Sequence, residues 1–366
     1  INMHSWMFLS SFEDLRRNLL NNYVIDSLLH LGPRTFDELS GEVVQNVTFV
    51  VTKANSLNVP TTETNDKLHQ KDSGSYFRLV DGKDCLDKAQ MFLEALVKHT
   101  EGVFYGNVKQ YNFMKIPGYT FGYWVSQKML DVFGQSKIDD LTYVIQGIIP
   151  GNLDYFVKKW NEVSISKIGL NHKDYSDIKK YGKKWFPYTK GGNFRRWYGN
   201  CEDVINMENN GYEIKYSGKN NNYRLRDTSV YFKPAISWSR ISTNKFATRF
   251  SPCGSLFDIT GSCMYNMGDN TYYILAYTNT KIATAIFEFI SPTITFEIEH
   301  IKALPVIQKD TTSVIDDYAS QCVDISKLDW DAHETSLDFK GNPLVAHCNQ
   351  FRSDDFGTTS YRIENF

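Results

Sequence analysis

The chain has 366 residues, of which 42% are apolar and 14% aromatic, and its formal net charge at pH 7 is −2. This length allows two domains, or one large domain with an appendage, and the apolar content is sufficient for a core. The near-neutral charge argues against a histone-like or tail-driven nucleic-acid binder. Any affinity for nucleic acid must therefore come from a local patch.

The cysteines and the hydropathy pattern indicate the compartment. Six cysteines lie far apart and include no C-x-x-C pair, which excludes a zinc ribbon and favours reduced thiols. The sequence contains no run of eighteen apolar residues and no signal-peptide pattern at its start. These features predict a soluble, cytoplasmic protein without a membrane segment.

The first third of the sequence alternates helical and strand-like patterns. Ser10 or Ser11 is a candidate N-cap for a helix whose apolar positions recur through Leu20. Residues 84–98 also have helical spacing, and residues 102–115 read as a connector. Strands are expected at residues 23–31, 43–51 and 77–80, with a polar loop at residues 55–75. This order is typical of an α/β sheet, of which only a part is present.

The sequence changes character after residue 116. Helices are expected at residues 121–133 and 152–160, and a strand followed by a helix at residues 274–290. Short strands are expected near residues 204–207, 235–241, 246–250 and 256–259. The last forty residues, 326–366, are polar and acidic, and we expect them to be irregular and peripheral.

Residues 179–200, KKYGKKWFPYTKGGNFRRWYGN, form the most distinctive local cluster. Seven lysines and arginines alternate with seven aromatic residues and four glycines, and no acidic residue interrupts them. Cations neutralise phosphates, aromatic rings stack on bases, and glycines let a backbone approach closely. The cluster predicts a nucleic-acid contact; the alternative is a solvated loop whose aromatic residues fold back into the core.

The motifs of a complete catalytic site are absent from the sequence. It contains no G-x-G-x-x-G, no G-x-x-x-x-G-K-[ST], no G-x-S-x-G and no H-E-x-x-H pattern. It also lacks a Pro-Pro pair, so the N/D-P-P-Y/F tetrapeptide of amino-methylating enzymes is missing. His30 and His300 lie in apolar runs and are expected to be packed core residues rather than ligands. No metal site and no catalytic residue is assigned.

Several separated blocks carry a resemblance to a known family. They are residues 2–20 (NMHSWMFLSSFEDLRRNLL), 44–51 (VQNVTFVV), 116–130 (IPGYTFGYWVSQKML), 183–200 (KKWFPYTKGGNFRRWYGN), 235–265 and 275–306. Together they resemble the adenine-specific DNA methyltransferases of the PglX type, from BREX phage-defence systems, which are related to fused restriction-methylation enzymes. The first two blocks are similar to the end of the catalytic domain, and the others to the target-recognition region.

The resemblance implies the later part of a methyltransferase, because the cofactor motif and the catalytic tetrapeptide precede the first block in the family. The implied fold is α/β, of the mixed α+β kind. A partial Rossmann-like sheet would occupy residues 1–115, an α+β target-recognition domain residues 116–310, and a peripheral segment residues 311–366. The apolar start at Ile1 also suggests a fragment.

The same resemblance implies cofactors and partners. S-adenosylmethionine would serve the full-length family member, and this chain would bind no cofactor and be inactive alone. Its expected partner is double-stranded DNA, with other BREX subunits as further partners. Methylation of an adenine in a duplex requires base flipping, so the recognition region would grip both flanks of the site.

The candidate DNA contacts fall into three groups. In residues 179–200 the candidate phosphate anchors are Lys183, Lys184, Lys190, Arg195 and Arg196, and either arginine could read guanine. A second group is Arg240, Lys245 and Arg249, where strand alternation would place the last two on one face. Arg224 and Arg226 form a third, weaker group on a loop.

Three further residues in the first group have two interpretations each. Asn193 could read adenine or cap a turn, and the turn is favoured by the neighbouring Gly191-Gly192. Trp185 and Trp197 could stack on bases or belong to the core, and the core is favoured. Two other functions stay open for the chain: a stand-alone specificity subunit that serves a separate methylase, and a carbohydrate-binding or surface-interaction module.

Overall fold

The computed structural model describes residues 1–4, 6–36, 45–53, 73–219, 222–242, 245–291, 295–307 and 313–345. The chain divides into two compact units. The first consists of Ile1–Ile138, Ala285–Thr293 and Ala303–Ile307, and the second of Asp139–Thr284, Ile294–Lys302 and Gln308–Phe366. The predicted domain boundaries at residues 115 and 310 differ from this division and stay a prediction about function.

Thirteen strands are found in the described residues. They are β1 (Asn2–His4), β2 (Tyr23–Gly32), β3 (Asn46–Lys53), β4 (Ser73–Arg78), β5 (Phe104–Lys109), β6 (Tyr143–Ile145), β7 (Val157–Lys159), β8 (Trp185–Thr189), β9 (Asp203–Asn206), β10 (Ala235–Trp238), β11 (Thr248–Ser251), β12 (Leu256–Phe257) and β13 (Cys263–Tyr265).

Twelve α-helices accompany these strands in the same residues. They are α1 (Glu13–Asn22), α2 (Cys85–Lys98), α3 (Tyr111–Met114), α4 (Gln127–Val132), α5 (Ile138–Leu141), α6 (Leu153–Phe156), α7 (Asp177–Tyr181), α8 (Glu208–Tyr216), α9 (Thr271–Thr278), α10 (Lys281–Ile290), α11 (Ile298–Lys302) and α12 (Ser313–Asp331). The predicted mixed α+β class is confirmed. No helix among the described residues is both long enough and apolar enough to cross a membrane.

The first unit is built on a five-stranded mixed sheet in the order β1-β3-β2-β4-β5. Strands β2 and β4 run parallel, and the other neighbours are antiparallel. Its aromatic core includes Trp6, Phe49, Tyr76 and Phe121. The predicted strands at residues 23–31 and 43–51 correspond to β2 and β3, although residues 43 and 44 lie outside the described part.

A buried guanidinium joins three segments of this first unit. Arg16 is only 1% exposed, and it donates hydrogen bonds of 2.7 Å to the carbonyl oxygens of Trp6, Leu9 and Gly118. Burial lowers the pKa of Arg16 to about 10. Helix α1 is thereby fixed to the chain on either side of it. The predicted Ser10 or Ser11 cap is wrong, because a 3₁₀ turn (Ser10–Phe12) precedes the helix and Phe12 occupies the N-cap.

Helix α2 begins where the sequence predicted. Asp84 is its N-cap, and the carboxylate accepts a 2.8 Å hydrogen bond from the amide of Asp87. The segment at residues 102–115 is not a connector, since it forms β5 and α3. Its strand pattern is hidden by Gly106 and Asn107, and it is revealed only by pairing with β4.

The second unit contains two four-stranded sheets. One has the order β11-β10-β13-β6 and is antiparallel throughout; the other has the order β12-β8-β9-β7, in which only β12 and β8 are parallel. The four short strands predicted after residue 200 correspond to β9, β10, β11 and β12. Phe156, Phe186 and Phe232 are central to the core beside the second of these sheets.

Several predicted elements differ from the structure. The helix expected at residues 121–133 is confined to α4, and that at residues 152–160 is one turn, α6, followed by β7. The strand expected from residue 274 is instead helix α9, because a short apolar run does not distinguish a buried strand from a buried helix. Helix α12 extends into the segment expected to be irregular, and residues 346–366 lie outside the described part.

We expect the first unit to lose stability in acid through His30. This histidine is 8% exposed and shares a 3.0 Å hydrogen bond with the hydroxyl of Tyr123. Burial, followed by the charges of Arg78 and Lys88, lowers its pKa from 6.5 to about 3. The folded state therefore binds fewer protons than the unfolded state between these values. The contribution of neutral His30 to the free energy of unfolding is therefore complete above pH 6.5. Below pH 6.5 this contribution falls by about 1.4 kcal/mol for each pH unit.

His30→Gln should accordingly flatten the dependence of the unfolding free energy on pH. Urea denaturation at several values between pH 7 and pH 4 measures this slope for the wild type and the variant. His333→Gln, which changes an exposed histidine of the second unit, is the control. Equal slopes in the wild type and His30→Gln would contradict the assignment to His30.

Candidate nucleic-acid interface

The cluster at residues 179–200 spans a helix end, a strand and a loop. It begins in helix α7, which ends at Gly182 with a left-handed φ of 58°. Strand β8 follows and places Phe186 and Tyr188 inside the core. Residues 190–200 then form a loop, here called the basic loop, which carries Arg195 and Arg196. Phe186 and Tyr188 therefore belong to the core, and the loop is the part of the cluster that is available for contact.

The basic loop is held in place by hydrogen bonds to one of its own carbonyl groups. The carbonyl oxygen of Gly191 accepts hydrogen bonds from Asn200 Nδ2 (2.8 Å), Ser239 Oγ (2.8 Å) and Arg249 Nη2 (3.1 Å). A Cβ atom at Gly191 would lie 2.4 Å from the carbonyl oxygen of Thr260. Glycine is therefore required here by close approach of two backbones.

The later part of the basic loop, at Trp197, is hydrogen-bonded to strand β11. The amide of Trp197 donates to the carbonyl of Thr248 (2.9 Å), and the amide of Phe250 donates to the carbonyl of Trp197 (2.7 Å). Asn200 Nδ2 also donates to the carbonyl of Asn193 (2.8 Å), across the loop. These bonds give the basic loop a defined shape on the edge of the sheet.

Arg249 is not an available phosphate anchor, and this is a correction of the sequence-based prediction. Its side chain is 1% exposed, and besides Gly191 it bonds Ser239 Oγ (3.3 Å) and the carbonyl of Arg195 (3.5 Å). Burial lowers its pKa to about 10. The predicted shared face with Lys245 also fails, because Lys245 is exposed and precedes strand β11 rather than lying in it.

The tip of the basic loop presents three side chains. Asn193 is exposed, Phe194 is 39% exposed, and the guanidinium of Arg196 lies 5.6 Å from the centre of the Phe194 ring. Within the described part of the chain, this guanidinium has no hydrogen bond or ion pair, and its Nε atom is buried without an acceptor. A cation in this state is a ready donor for an anionic ligand.

Arg195 faces the end of helix α12. Its guanidinium lies 4.8 Å from the centre of the Trp330 ring and 3.4 Å from a carboxylate oxygen of Asp329. The two adjacent arginines of the cluster therefore differ. Arg195 is stacked and paired, whereas Arg196 has only its aromatic neighbour.

The three lysines of the first group already have partners on the surface. Lys183 Nζ donates to the carbonyl of Ser166 (2.7 Å), Lys184 lies 3.3 Å from Glu213, and Lys190 lies 3.7 Å from Asp203. All three side chains are half-buried. Exposed ion pairs contribute only about 0–1 kcal/mol, so a phosphate could compete for Lys184. Lys190 instead meets the buried carboxylate of Asp203, which is 7% exposed.

Of the remaining predicted cations, two have protein partners and two have none among the described residues. Arg226 donates to the side chain of Gln146 (2.6 Å) and to the carbonyl of Gly147 (3.3 Å), and burial lowers its pKa. Arg240 forms a two-point contact with Glu297 at 2.8–3.0 Å, which raises its pKa. Arg224 and Lys245 are exposed, and their charged groups have no partner among the residues that the structure describes.

The exposed aromatic residue at the loop tip is Phe194 rather than either predicted tryptophan. Trp185 and Trp197 are both half-buried, and Trp197 is held at a left-handed φ of 69°. Phe194 was not singled out from the sequence. Its position directly after the Gly191-Gly192-Asn193 turn is the signal that could have identified it.

Two relatives match nearly the whole chain. The adenine-specific methyltransferase PglX of Lacticaseibacillus casei (strain Zhang) is 35% identical over 354 residues, which is 95% of this chain and 28% of PglX. The adenine-specific methyltransferase BrxX of Escherichia coli O9:H4 (strain HS) is 35% identical over 356 residues, which is 95% of this chain and 26% of BrxX. No family model matches the chain.

The chain is thus related to adenine-specific methyltransferases. More particularly, its relatives are of the PglX and BrxX type, so the resemblance identified in the sequence is confirmed. The chain spans about a quarter of the length of these relatives. Among solved structures, the type IIG restriction endonuclease BpuSI aligns with 88% of this chain and 41% of its own, with 9% identity and a TM-score of 0.35.

Gly191→Ala should destabilise the second unit by about 1–3 kcal/mol, the usual cost of inserting a methyl group into a packed site. The cause is the 2.4 Å approach to the carbonyl of Thr260, which is backbone and cannot move aside freely. Urea denaturation measures the change. Gly134→Ala is the control, since its new Cβ would have only an ordinary 3.4 Å neighbour. A neutral Gly191→Ala would show that the loop is not held at this point.

Proposed function

We propose that this chain contributes DNA target recognition to an adenine-N6 DNA methyltransferase of a phage-defence system. The observation that carries the proposal is the basic loop, whose shape is fixed by hydrogen bonds. Its tip exposes Asn193 and Phe194 beside the half-buried Arg196, whose guanidinium has no hydrogen bond or ion pair among the described residues. The relationship to PglX and BrxX supports the methyltransferase context.

The chemistry of the loop tip suits the groove of a DNA duplex. An arginine without a carboxylate partner can bond a phosphate, or the O6 and N7 atoms of guanine at two points. The amide of Asn193 can pair with adenine in the same manner. Phe194 offers an apolar face to a thymine methyl group or to an opened base step. These three side chains lie within four consecutive residues, so they would read one short stretch of bases.

Weaker contacts would surround this centre. Arg224 and Lys245 are exposed and unpaired within the described residues, so they can meet phosphates without losing a partner. Lys183, Lys184, Lys190 and Arg195 would have to exchange an existing contact for a phosphate. Three arginines are engaged in hydrogen bonds or ion pairs within the protein, and we assign them no direct contact with DNA: Arg226, Arg240 and Arg249.

Methyl transfer would need groups beyond those in this chain. The sequence has neither the cofactor glycine motif nor the catalytic tetrapeptide, and its two relatives extend well beyond the matched section. We therefore assign S-adenosylmethionine binding and catalysis to the rest of the relatives' length. On this proposal residues 1–115 belong to the catalytic domain, residues 116–310 form the recognition domain, and residues 311–366 are peripheral.

Arg196→Ala should weaken binding of duplex DNA by about 1–3 kcal/mol and reduce the magnitude of the salt slope by about 1. The physical reason is the loss of an unpaired cation at the centre of the contact. Fluorescence anisotropy with labelled duplexes over a salt series gives both quantities. Because the guanidinium has no bond to lose in the free protein, the variant should fold normally.

Arg17→Ala provides the matched control. Arg17 is a half-exposed arginine of the first unit that pairs with Glu13 at 3.0 Å, and the proposal gives it no part in DNA binding. Wild-type protein that binds DNA without dependence on salt, or does not bind it, would overturn the proposed function. An equal loss in the two variants would show only a general effect of charge.

A further inference from the structure

Helix α12 carries an exposed apolar stripe that the proposed function does not use. Val314, Tyr318, Ile325 and Leu328 are between 57% and 73% exposed. With the exposed Gln321 they follow one another at intervals of four and three residues along the helix. This spacing places all five on one face, in the repeat that helices use to pack against each other.

The opposite face of the same helix is already occupied. Ala319, Val323 and Trp330 are buried, and α12 packs on α9 within the second unit. One face of the helix is therefore packed within the second unit, and the opposite, apolar face is exposed. Single exposed apolar residues are common on protein surfaces, but four large ones in register form a patch.

The borders of the stripe are acidic. Asp317 and Asp324 are exposed on one side, at positions that adjoin the apolar face. Asp329 adjoins the other side, where it is shared with Arg195. The only cation in the helix sequence is Lys327, and it is paired with Asp331 and Asp338. A partner helix with basic residues beside its apolar positions would complement both the stripe and its borders.

We infer that this face docks an amphipathic helix that carries lysine or arginine on both sides of an apolar stripe. The seven-residue repeat selects a helix rather than an extended segment, because only a helix places side chains into the spaces between those of α12. The aspartates select a basic helix. A second copy of α12 fits less well, since an antiparallel pair would bring Asp317 and Asp324 against aspartates of the partner.

Binding of synthetic helical peptides to the full chain tests this inference. One three-heptad peptide has leucine at its core positions and lysine beside them, and a second has glutamate in place of every lysine. Fluorescence anisotropy should show saturable binding of the lysine peptide and binding at least about tenfold weaker for the glutamate peptide. Failure of the lysine peptide to bind, or equal binding of both peptides, would overturn the inference.

Variants of the protein locate the site. Ile325→Asp together with Leu328→Asp should weaken binding of the lysine peptide at least about tenfold, and both positions are exposed, so folding should be retained. Leu93→Asp is the control, because Leu93 is 62% exposed on helix α2 of the first unit. Unchanged binding by the double variant, or an equal loss in Leu93→Asp, would reject this location.

Sedimentation of the protein alone tests the competing occupant. Reversible self-association that the Ile325→Asp and Leu328→Asp changes abolish would overturn the basic-helix partner in favour of a second copy of the chain. A monomer that binds the lysine peptide would support the inference. Neither result depends on DNA, so this inference and the proposed function stand or fall separately.

Discussion

The candidate interface depends on a buried cation. Arg249 is 1% exposed, and it bonds the carbonyl oxygens of Gly191 and Arg195 and the hydroxyl of Ser239. Transfer of a guanidinium out of water costs several kcal/mol unless its donors are satisfied. Here the loop backbone and the Ser239 hydroxyl supply acceptors for the two Nη atoms, while Nε is buried without an acceptor. No carboxylate of the described residues is paired with the group. The loop backbone and the buried cation therefore stabilise each other.

This arrangement has two consequences for binding. The basic loop is ordered before any ligand arrives, so less conformational entropy is lost when it binds. In addition, the pKa of Arg249 falls only to about 10, so the group stays charged near neutral pH. A fixed positive charge then lies beneath a loop that already carries Arg195 and Arg196. Its field favours an anionic ligand even though the group cannot touch one.

The sequence predicted those parts of the fold that local patterns determine. Strands β2 and β3 are long and rich in apolar residues, and α2 has a helical repeat of apolar residues, so each was found. Strand β5 and helix α9 were missed because pairing with β4 and burial among distant residues decide their conformation. The basic cluster was recognised, but the state of its charges was not. Lys190 meets Asp203, Arg240 meets Glu297 and Arg195 meets Asp329 only through tertiary contacts.

These contacts change what a count of basic residues means for DNA affinity. A lysine that leaves a carboxylate for a phosphate gains one ion pair and loses another, and the released carboxylate then repels the same phosphate. Such a residue adds little net affinity compared with an unpaired cation. The binding energy should therefore concentrate on Arg196, Arg224 and Lys245, whose charged groups have neither a hydrogen bond nor an ion pair among the described residues. If the chain binds DNA as proposed, its net charge of −2 favours a contact that is small and selective, since Lys190, Arg195 and Arg240 already pair with carboxylates.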